Sequence, residues 1–171
     1  LWVYDLARDV LSQLTFQGGS IPLWTPDGRE VIYGRARPRT GWDIFRKPAD
    51  GSGAEQELVA RPLDQVPSGG NPSLDGRLLP FAEWSLETAA DIHLLSMKDG
   101  SDRVLVKSPE FELNASFSPD ARFVAYVSTE LGTPEVFIRP VVGEGGVRRV
   151  SVEGGIEPHW SPNGQLFFRK G

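Results

Sequence analysis

The sequence predicts an all-β fold, a β-propeller made of four-stranded antiparallel blades. Three observations predict it: a turn motif recurs along the chain, a second motif recurs in step with the first, and glycine and proline are frequent. The chain has 171 residues, including 19 glycines and 14 prolines. Turn-forming residues at this density interrupt the chain every few positions, which favours short strands over long helices.

The first motif is a turn that occurs four times: WTPDGR from residue 24, SLDGR from residue 73, FSPDAR from residue 117 and WSPNGQ from residue 160. Its acid or amide stands at positions 27, 75, 120 and 163, so successive copies are 48, 45 and 43 residues apart. Proline presets φ, Asp or Asn accepts hydrogen bonds from nearby amides, and glycine tolerates positive φ. The motif therefore predicts a tight connection between two antiparallel strands, capped by the preceding Ser or Thr hydroxyl.

An apolar run follows each of the first three turns and predicts the second strand of a blade. The runs are short and rich in β-branched and aromatic residues, which favours buried strands over helices. They occupy residues 31–33, 78–81 and 123–127. The middle run contains Pro80. Because proline cannot donate to a strand ladder, this blade is predicted to be distorted there.

The second motif is an acid followed by an aliphatic and a ring residue, and it predicts the third strand. It begins at Asp43, Asp91 and Glu135, in steps of 48 and 44 residues. The segments DGSG from residue 50 and DGSD from residue 99 predict turns into a fourth strand at residues 55–59 and 103–107. Two motifs with one period of roughly 45 residues, and four strands per period, are typical of a β-propeller.

Division of the chain by this period gives a single propeller segment, residues 1–171. The predicted full blades are residues 21–60, 71–107 and 113–151, with the outer half of a blade at 1–16 and the inner half of a blade at 156–169. The two halves are able to join within one chain or between two chains, or the chain is part of a larger ring. The chain begins without methionine inside a predicted strand, so we interpret it as a fragment or a processed product.

Composition argues against several classes of function. The net charge of -5 argues against nucleic-acid binding, and the absence of cysteine excludes disulfides, thiol nucleophiles and Cys-type zinc sites. No apolar run approaches about 18 residues, so no membrane insertion is predicted. The serine-hydrolase elbow, the phosphate-binding loop and the His-Glu-x-x-His motif do not occur. The sequence therefore predicts no enzyme activity, no catalytic residue, no cofactor and no metal.

The repeated aromatic and acidic residues of the turns are predicted to have structural roles. Trp24, Phe117 and Trp160 recur at one position of the motif, which favours packing between neighbouring sheets over ligand stacking. One carboxylate per turn is far short of the roughly 6–8 oxygens that calcium takes, so the acids are predicted to cap turns.

The candidate binding site is one mouth of the propeller channel, formed by the loops between second and third strands and by residues just before each inner strand. Three arginines there alternate along an extended segment, so their guanidinium groups are expected to share one side and to grip a carboxylate or phosphate. A solvated loop is the alternative for the arginines, and a hydrogen-bonded channel histidine for His159. The candidates are Arg35, Arg37, Arg39, Trp42, Trp84, Glu87, Glu110, Glu112, Glu157 and His159.

The pattern of a PDGR turn, an apolar run, DIF and DGSG resembles the WD40-like repeats of TolB-type propellers over essentially the whole chain. Residues 46–51, RKPADG, also resemble propeller regions appended to bacterial serine/threonine kinases and regulators. The TolB resemblance implies ligand binding at the channel mouth and a periplasmic location, whereas the kinase resemblance allows an extracytoplasmic sensor. Leu74 replaces the motif proline, so the third blade departs from the family pattern.

These observations predict a non-catalytic propeller segment that binds a protein or peptide or serves as a scaffold. Two alternatives stay open. The chain is the propeller portion of a larger enzyme, such as a prolyl-oligopeptidase-type serine peptidase, or it is a self-associating module that forms a homodimer through shared blades.

Overall fold

The computed structural model describes residues 1–37, 41–60, 66–85, 88–143 and 145–170. These residues form sixteen β-strands and no helix, so none of them belongs to a helix that could span a membrane. The strands make three four-stranded and two two-stranded sheets, and all neighbouring strands within a sheet are antiparallel. The predicted all-β class and the four-stranded antiparallel sheets are therefore confirmed.

The sheets follow one another in chain order, and each one is a simple meander. The first sheet contains β1 (Trp2–Asp5) and β2 (Val10–Gln13). The second sheet contains β3 (Ser20–Trp24), β4 (Glu30–Arg37), β5 (Gly41–Pro48) and β6 (Gln56–Ala60). The third sheet contains β7 (Val66–Gly69), β8 (Leu78–Ser85), β9 (Ala89–Ser96) and β10 (Asp102–Val106).

The fourth and fifth sheets continue the same order. The fourth sheet contains β11 (Glu112–Phe117), β12 (Phe123–Ser128), β13 (Glu135–Pro140) and β14 (Arg148–Arg149), and the fifth contains β15 (Ile156–Trp160) and β16 (Leu166–Arg169). The first strand of the third sheet lies before residue 71, where the sequence analysis begins that blade. The predicted blade limits stay predictions.

The turns of the first motif are built as the sequence predicts. In the second sheet the Thr25 hydroxyl donates to Asp27 Oδ1 over 2.6 Å and accepts the Glu30 amide over 3.0 Å. The same two bonds recur at Ser73 and Ser118. Ser161 makes equivalent bonds to Asn163 and to the Gln165 amide, which lies four residues on instead of five, so this turn is one residue shorter. The Thr25 bond is the main cause that holds the pKa of the Asp27 carboxyl below its usual value. The acids therefore cap turns.

The predicted distortion at Pro80 is wrong for the described strands. Strand β8 lies between β7 and β9 and keeps an uninterrupted register with both neighbours. The Pro80 carbonyl accepts the Gly70 amide over 2.7 Å, so the residue still contributes its acceptor. A proline costs a sheet one donor, and here that loss does not shift the pairing of either neighbour.

The described residues form three hydrophobic cores between successive sheets. One joins the first and second sheets through Leu14, Tyr33 and Phe45. Another joins the second and third sheets, with Ile32 and Phe81 among its members. The largest joins the third and fourth sheets and includes the residues Ile92, Leu94, Phe117, Val124, Tyr126 and Phe137. The sheets therefore stack face to face along the chain.

The packing prediction for the repeated aromatic residues is correct for Phe117 and wrong for Trp24. Phe117 is 7% exposed and belongs to the largest core, whereas Trp24 is 52% exposed. The difference arises because the first sheet contributes its core residues opposite β4 and β5, so no described strand of that sheet covers Trp24 on β3. Trp160 is partly buried.

Gly70 marks a close approach between the third and fourth sheets. A Cβ atom at this position would lie 2.5 Å from the Ala115 carbonyl oxygen and 3.1 Å from Pro80 Cγ. No side chain fits there without a shift of the backbone, so glycine permits the observed spacing of the two sheets.

Candidate binding site

The strand pairing defines two ends of the stack. The turns between first and second strands all lie at one end, which we call the turn face. The connections between second and third strands lie at the opposite end, which we call the loop face. The sequence analysis places its candidate residues at the loop face.

Arg35 is engaged within its own sheet. Its guanidinium donates to both carboxylate oxygens of Glu55 over 2.9 and 2.7 Å and lies 4.0 Å from the centre of the Phe45 ring. The Tyr33 hydroxyl donates to the same carboxylate over 2.6 Å. The Arg35 bonds are the main cause of the lowered pKa of Glu55, so this carboxylate stays charged and holds the guanidinium in place.

Two tryptophans of the candidate set lie on strands near the loop face. The Trp42 ring covers Gly34, because a Cβ atom at Gly34 would lie 3.5 Å from it. The Trp84 ring lies 5.3 Å from the Phe111 ring at an interplanar angle of 55°. Trp84 is 40% exposed and Phe111 is 39% exposed. This aromatic pair offers apolar surface to solvent at the loop face.

The carboxylates of the candidate set differ in their surroundings. Glu110 is exposed, whereas Glu112 is 1% exposed. Glu112 Oε1 accepts the hydroxyls of Ser108 over 2.7 Å and Ser128 over 3.0 Å, while Oε2 is buried with no hydrogen-bond partner in the described chain. Burial raises the pKa of Glu112 above its usual value. Glu157 forms a bidentate ion pair with Arg169, with both bonds at 2.9 Å, and both side chains are exposed.

The remaining candidates are divided between the two ends or are not described. Arg37 ends β4. Arg39 and Glu87 lie outside the described residues. His159 is exposed and lines a cavity at the turn face, so it lies away from the loop-face candidates. Among the described candidates, His159 therefore lies at the opposite end of the stack from Trp42 and Trp84.

The cavity next to His159 is a concave site at the turn face, and residues from successive sheets line it. It has a volume of about 380 Å³, and four sheets contribute to its wall. We call it the turn-face cavity. Its wall consists of Trp24, Pro26, Asn71, Pro72, Leu74, Ser116, Phe117, Pro119, His159, Trp160, Ser161 and Pro162.

The turn-face cavity combines apolar surface with a few hydrogen-bonding groups. Trp24 and Leu74 are 52% and 63% exposed. The Trp160 Nε1 atom is buried and has no hydrogen-bond partner in the described chain. Asn71 and His159 add exposed polar groups at the wall. Such a surface can hold an apolar side chain and also hydrogen-bond to a peptide backbone.

Sequence reasoning missed a set of buried acids that hold the connections between sheets. Asp91 accepts the Thr88 hydroxyl over 2.7 Å and the Ser108 amide over 3.4 Å. Glu135 accepts the Ser151 hydroxyl and the Gly154 amide. These acids begin the second motif, so its period contained the signal, although spacing alone does not show what the acid binds. No group of three or more metal-ligating side chains occurs among the described residues.

Comparison with known proteins identifies the fold. No protein-family model and no curated protein matches the chain. Among solved structures, TolB from Acinetobacter baumannii matches with a TM-score of 0.80 and 15% identity over 98% of this chain and 42% of that chain. A protein described as TolB from Agrobacterium tumefaciens matches with a TM-score of 0.73 and 21% identity over 85% of this chain and 51% of that chain.

The structure of an enzyme is similar as well. A prolyl endopeptidase matches with a TM-score of 0.73 and 16% identity over 98% of this chain and 27% of that chain. The chain thus spans about half or less of each of these proteins. At these identities the likeness shows a TolB-like propeller fold, while activity and partners require a separate argument.

Proposed function

We propose that this chain, a propeller segment of TolB-like fold, binds a protein or peptide partner at its turn-face cavity and has no catalytic role of its own. The observation that carries the proposal is the convergence of apolar side chains from four sheets on one cavity. Two of them, Trp24 and Leu74, are more than half exposed. Exposed aromatic and aliphatic side chains in a concave surface are typical of protein recognition sites.

The chemistry of the cavity favours an extended peptide with an apolar anchor. The Trp24 and Trp160 rings offer flat apolar walls, and the prolines of the turns make the rim rigid. Asn71 and His159 provide exposed side chains able to bond to peptide amides and carbonyls. A rigid apolar site loses little conformational entropy when it binds, which favours affinity.

The test uses short random peptides displayed on phage and selected on the 171-residue chain. We expect the selected peptides to bind the Trp24→Ala variant at least about tenfold more weakly, because truncation of a central aromatic residue removes much of the binding energy. The Trp84→Ala variant removes the same side chain at the loop face and is expected to bind them unchanged. Failure to select any peptide, or a loss confined to Trp84→Ala, would contradict the proposal.

The loop face stays a prediction as a second surface, and Trp84 with Phe111 is the observation that favours it. The alternative host is a larger peptidase, favoured by the likeness to a prolyl endopeptidase. A reading frame that encodes an α/β hydrolase domain with a Gly-x-Ser-x-Gly elbow beside this segment would support the alternative. An extracytoplasmic location belongs to the proposal and rests on the TolB resemblance.

A further inference from the structure

The exposed aromatic pair at the loop face lies between the third and fourth sheets, both of which contain four strands. Trp84 lies near the end of β8, and Phe111 lies directly before β11. Their ring centres are 5.3 Å apart, and their planes are inclined at 55°. Because each residue is about two-fifths exposed, the pair offers ring surface to a ligand.

The backbone fixes the two aromatic residues relative to each other. Trp84 pairs with Ala90 on β9, and Ala90 also forms a parallel bridge with Phe111. The Phe111 amide donates to the Thr129 hydroxyl over 3.1 Å, and the Phe111 carbonyl accepts the Thr129 amide over 3.2 Å. Residues held in this way lose little conformational entropy when a ligand binds, which favours affinity.

Two exposed carboxylates lie beside Phe111. Glu110 directly precedes it, and Glu130 directly follows Thr129, the residue whose backbone and hydroxyl bond to Phe111. After burial, the charge of Glu130 is a further cause that raises the pKa of Glu112, which places Glu130 close to the start of β11. Neither Glu110 nor Glu130 forms an ion pair within the part of the chain that the structure describes.

The chain itself shows how this fold holds a guanidinium group. The Arg35 guanidinium lies 4.0 Å from the centre of the Phe45 ring and donates to both oxygens of Glu55 over 2.9 and 2.7 Å. Arg122 lies 5.8 Å from the centre of the Phe123 ring. A ring face with a carboxylate beside it therefore forms a guanidinium site in the second sheet. The aromatic pair at the loop face has the same two kinds of group, and no cation of the described residues lies over either ring.

The charge around the aromatic pair favours a cation as the ligand. Glu110 and Glu130 contribute two negative charges, and the chain has a net charge of -5. Lys107 lies in the same connection between sheets, but its ammonium is 4.0 Å from the Asp91 carboxylate, which balances it. A guanidinium fits this surface better than an ammonium, because it is planar and can stack on a ring while it donates to a carboxylate.

We propose that the loop face binds an arginine side chain of a partner protein at Trp84, Phe111, Glu110 and Glu130, which we call the arginine site. The guanidinium stacks on an exposed ring face and donates to one of the two carboxylates. The arginine site differs from the turn-face cavity in position and in chemistry, since the cavity takes an apolar side chain and the arginine site takes a cation. Because its charges are exposed, binding is expected to weaken as salt is added.

The test uses two capped peptides on the 171-residue chain, Gly-Ser-Arg-Ser-Gly and the same peptide with citrulline in place of arginine. Citrulline keeps the shape of arginine and removes its charge. Binding is followed by the indole N–H signal of Trp84 in NMR spectra, which is assigned by its loss in Trp84→Phe. We expect the arginine peptide to shift this signal in a saturable way and the citrulline peptide to bind at least about fivefold more weakly, because the charged contacts are lost.

Variants of Trp84 test the ring contact, with the amide signal of Phe111 as the measure of binding. Trp84→Leu is expected to raise the dissociation constant of the arginine peptide at least about threefold, whereas Trp84→Phe keeps a ring and most of the affinity. Trp2→Leu is the control, since Trp2 is 60% exposed in the first sheet and is expected to leave the affinity unchanged. Equal affinities of Trp84→Leu and Trp84→Phe would contradict stacking on the ring.

Paired variants test the charge contact. Glu110→Gln with Glu130→Gln is expected to weaken binding at least about threefold and to reduce its salt dependence. Glu57→Gln with Glu153→Gln removes two charges from exposed positions elsewhere and is expected to leave binding unchanged. Circular dichroism checks that each variant folds, and the comparison of the two peptides on the unmodified chain depends on no variant. Equal affinity for the two peptides, an equal loss in the two double variants, the absence of a saturable shift, or shifts confined to the turn-face cavity would overturn the proposal.

Discussion

Ala121 holds a backbone conformation that glycine holds in the other turns of the first motif. Its φ is 54°, compared with 68° at both Gly28 and Gly76 and 84° at Gly164. A left-handed conformation costs an L residue roughly 1–2 kcal/mol because its Cβ approaches the following carbonyl. The fourth sheet therefore forms its first turn at a local cost that the other turns avoid.

Exchange of the two residue types is predicted to move stability in opposite directions. Ala121→Gly is expected to raise the free energy of unfolding by about 0.5–1 kcal/mol, and Gly28→Ala to lower it by about 1 kcal/mol. No atom lies within 4 Å of a Cβ atom built on Gly28, so that loss would come from the backbone alone. Urea denaturation with an unchanged m-value measures both effects. Shifts of the same sign would contradict the explanation.

The burial of Glu112 predicts a dependence of stability on pH. Its pKa is raised in the folded state, so the folded chain binds more protons than the unfolded chain just above the usual glutamate pKa. The contribution of Glu112 to stability is therefore predicted to be fully present below the usual glutamate pKa and to be lost as pH rises through the folded-state pKa. Glu112→Gln is expected to remove this slope, whereas Glu110→Gln, at an exposed position, keeps it. Equal slopes in the two variants would exclude Glu112 as the cause.

Strand β4 is joined to the turn before β6 by the Arg35 ion pair with Glu55. Loss of a largely buried charge partner leaves the other charge unpaired, so Arg35→Ala is expected to lower the free energy of unfolding by about 2 kcal/mol. Arg8→Ala is the control, because Arg8 forms an ion pair with Asp5 while 77% exposed, and about 0.5 kcal/mol or less is expected. Equal small losses in denaturant unfolding would restore Arg35 as a candidate for ligand binding.

The strands that follow a repeated motif could be predicted from the sequence, and those without one could not. The turn that contains Thr25 and Asp27 can be predicted from its own residues, because the hydrogen bonds of these side chains join positions within six residues of each other. Strand β7 follows no motif, and the sequence analysis begins its blade after it. The Arg35 contact also escaped prediction, because Glu55 lies twenty residues away and its position depends on how β5 and β6 fold back.

The candidate site was less predictable than the fold for the same reason. Composition and spacing assign residues to a loop or a turn, but they do not state which side chains are already used by neighbours, as Arg35 and Glu112 are. His159 and Trp24 meet in the turn-face cavity although they belong to different sheets far apart in sequence. That meeting depends on how successive sheets are rotated about the stack, which no local pattern contains.

The separation of the core into three clusters predicts how mutations combine. Val31 and Phe117 belong to different clusters, so the losses from Val31→Ala and Phe117→Leu are expected to add within about 0.5 kcal/mol. Phe117 and Val124 are paired neighbours in one cluster, so Phe117→Leu with Val124→Ala is expected to deviate from additivity by about that amount or more. Double-mutant cycles in urea measure both. Equal coupling in the two cycles would indicate a single continuous core.

The absence of a side chain at Gly70 has a consequence for how the third and fourth sheets are oriented. A methyl group there would push the third and fourth sheets apart on one side. Every sheet after the contact would then be tilted relative to those before it. The angle between the third and fourth sheets thus depends on the absence of a side chain at residue 70.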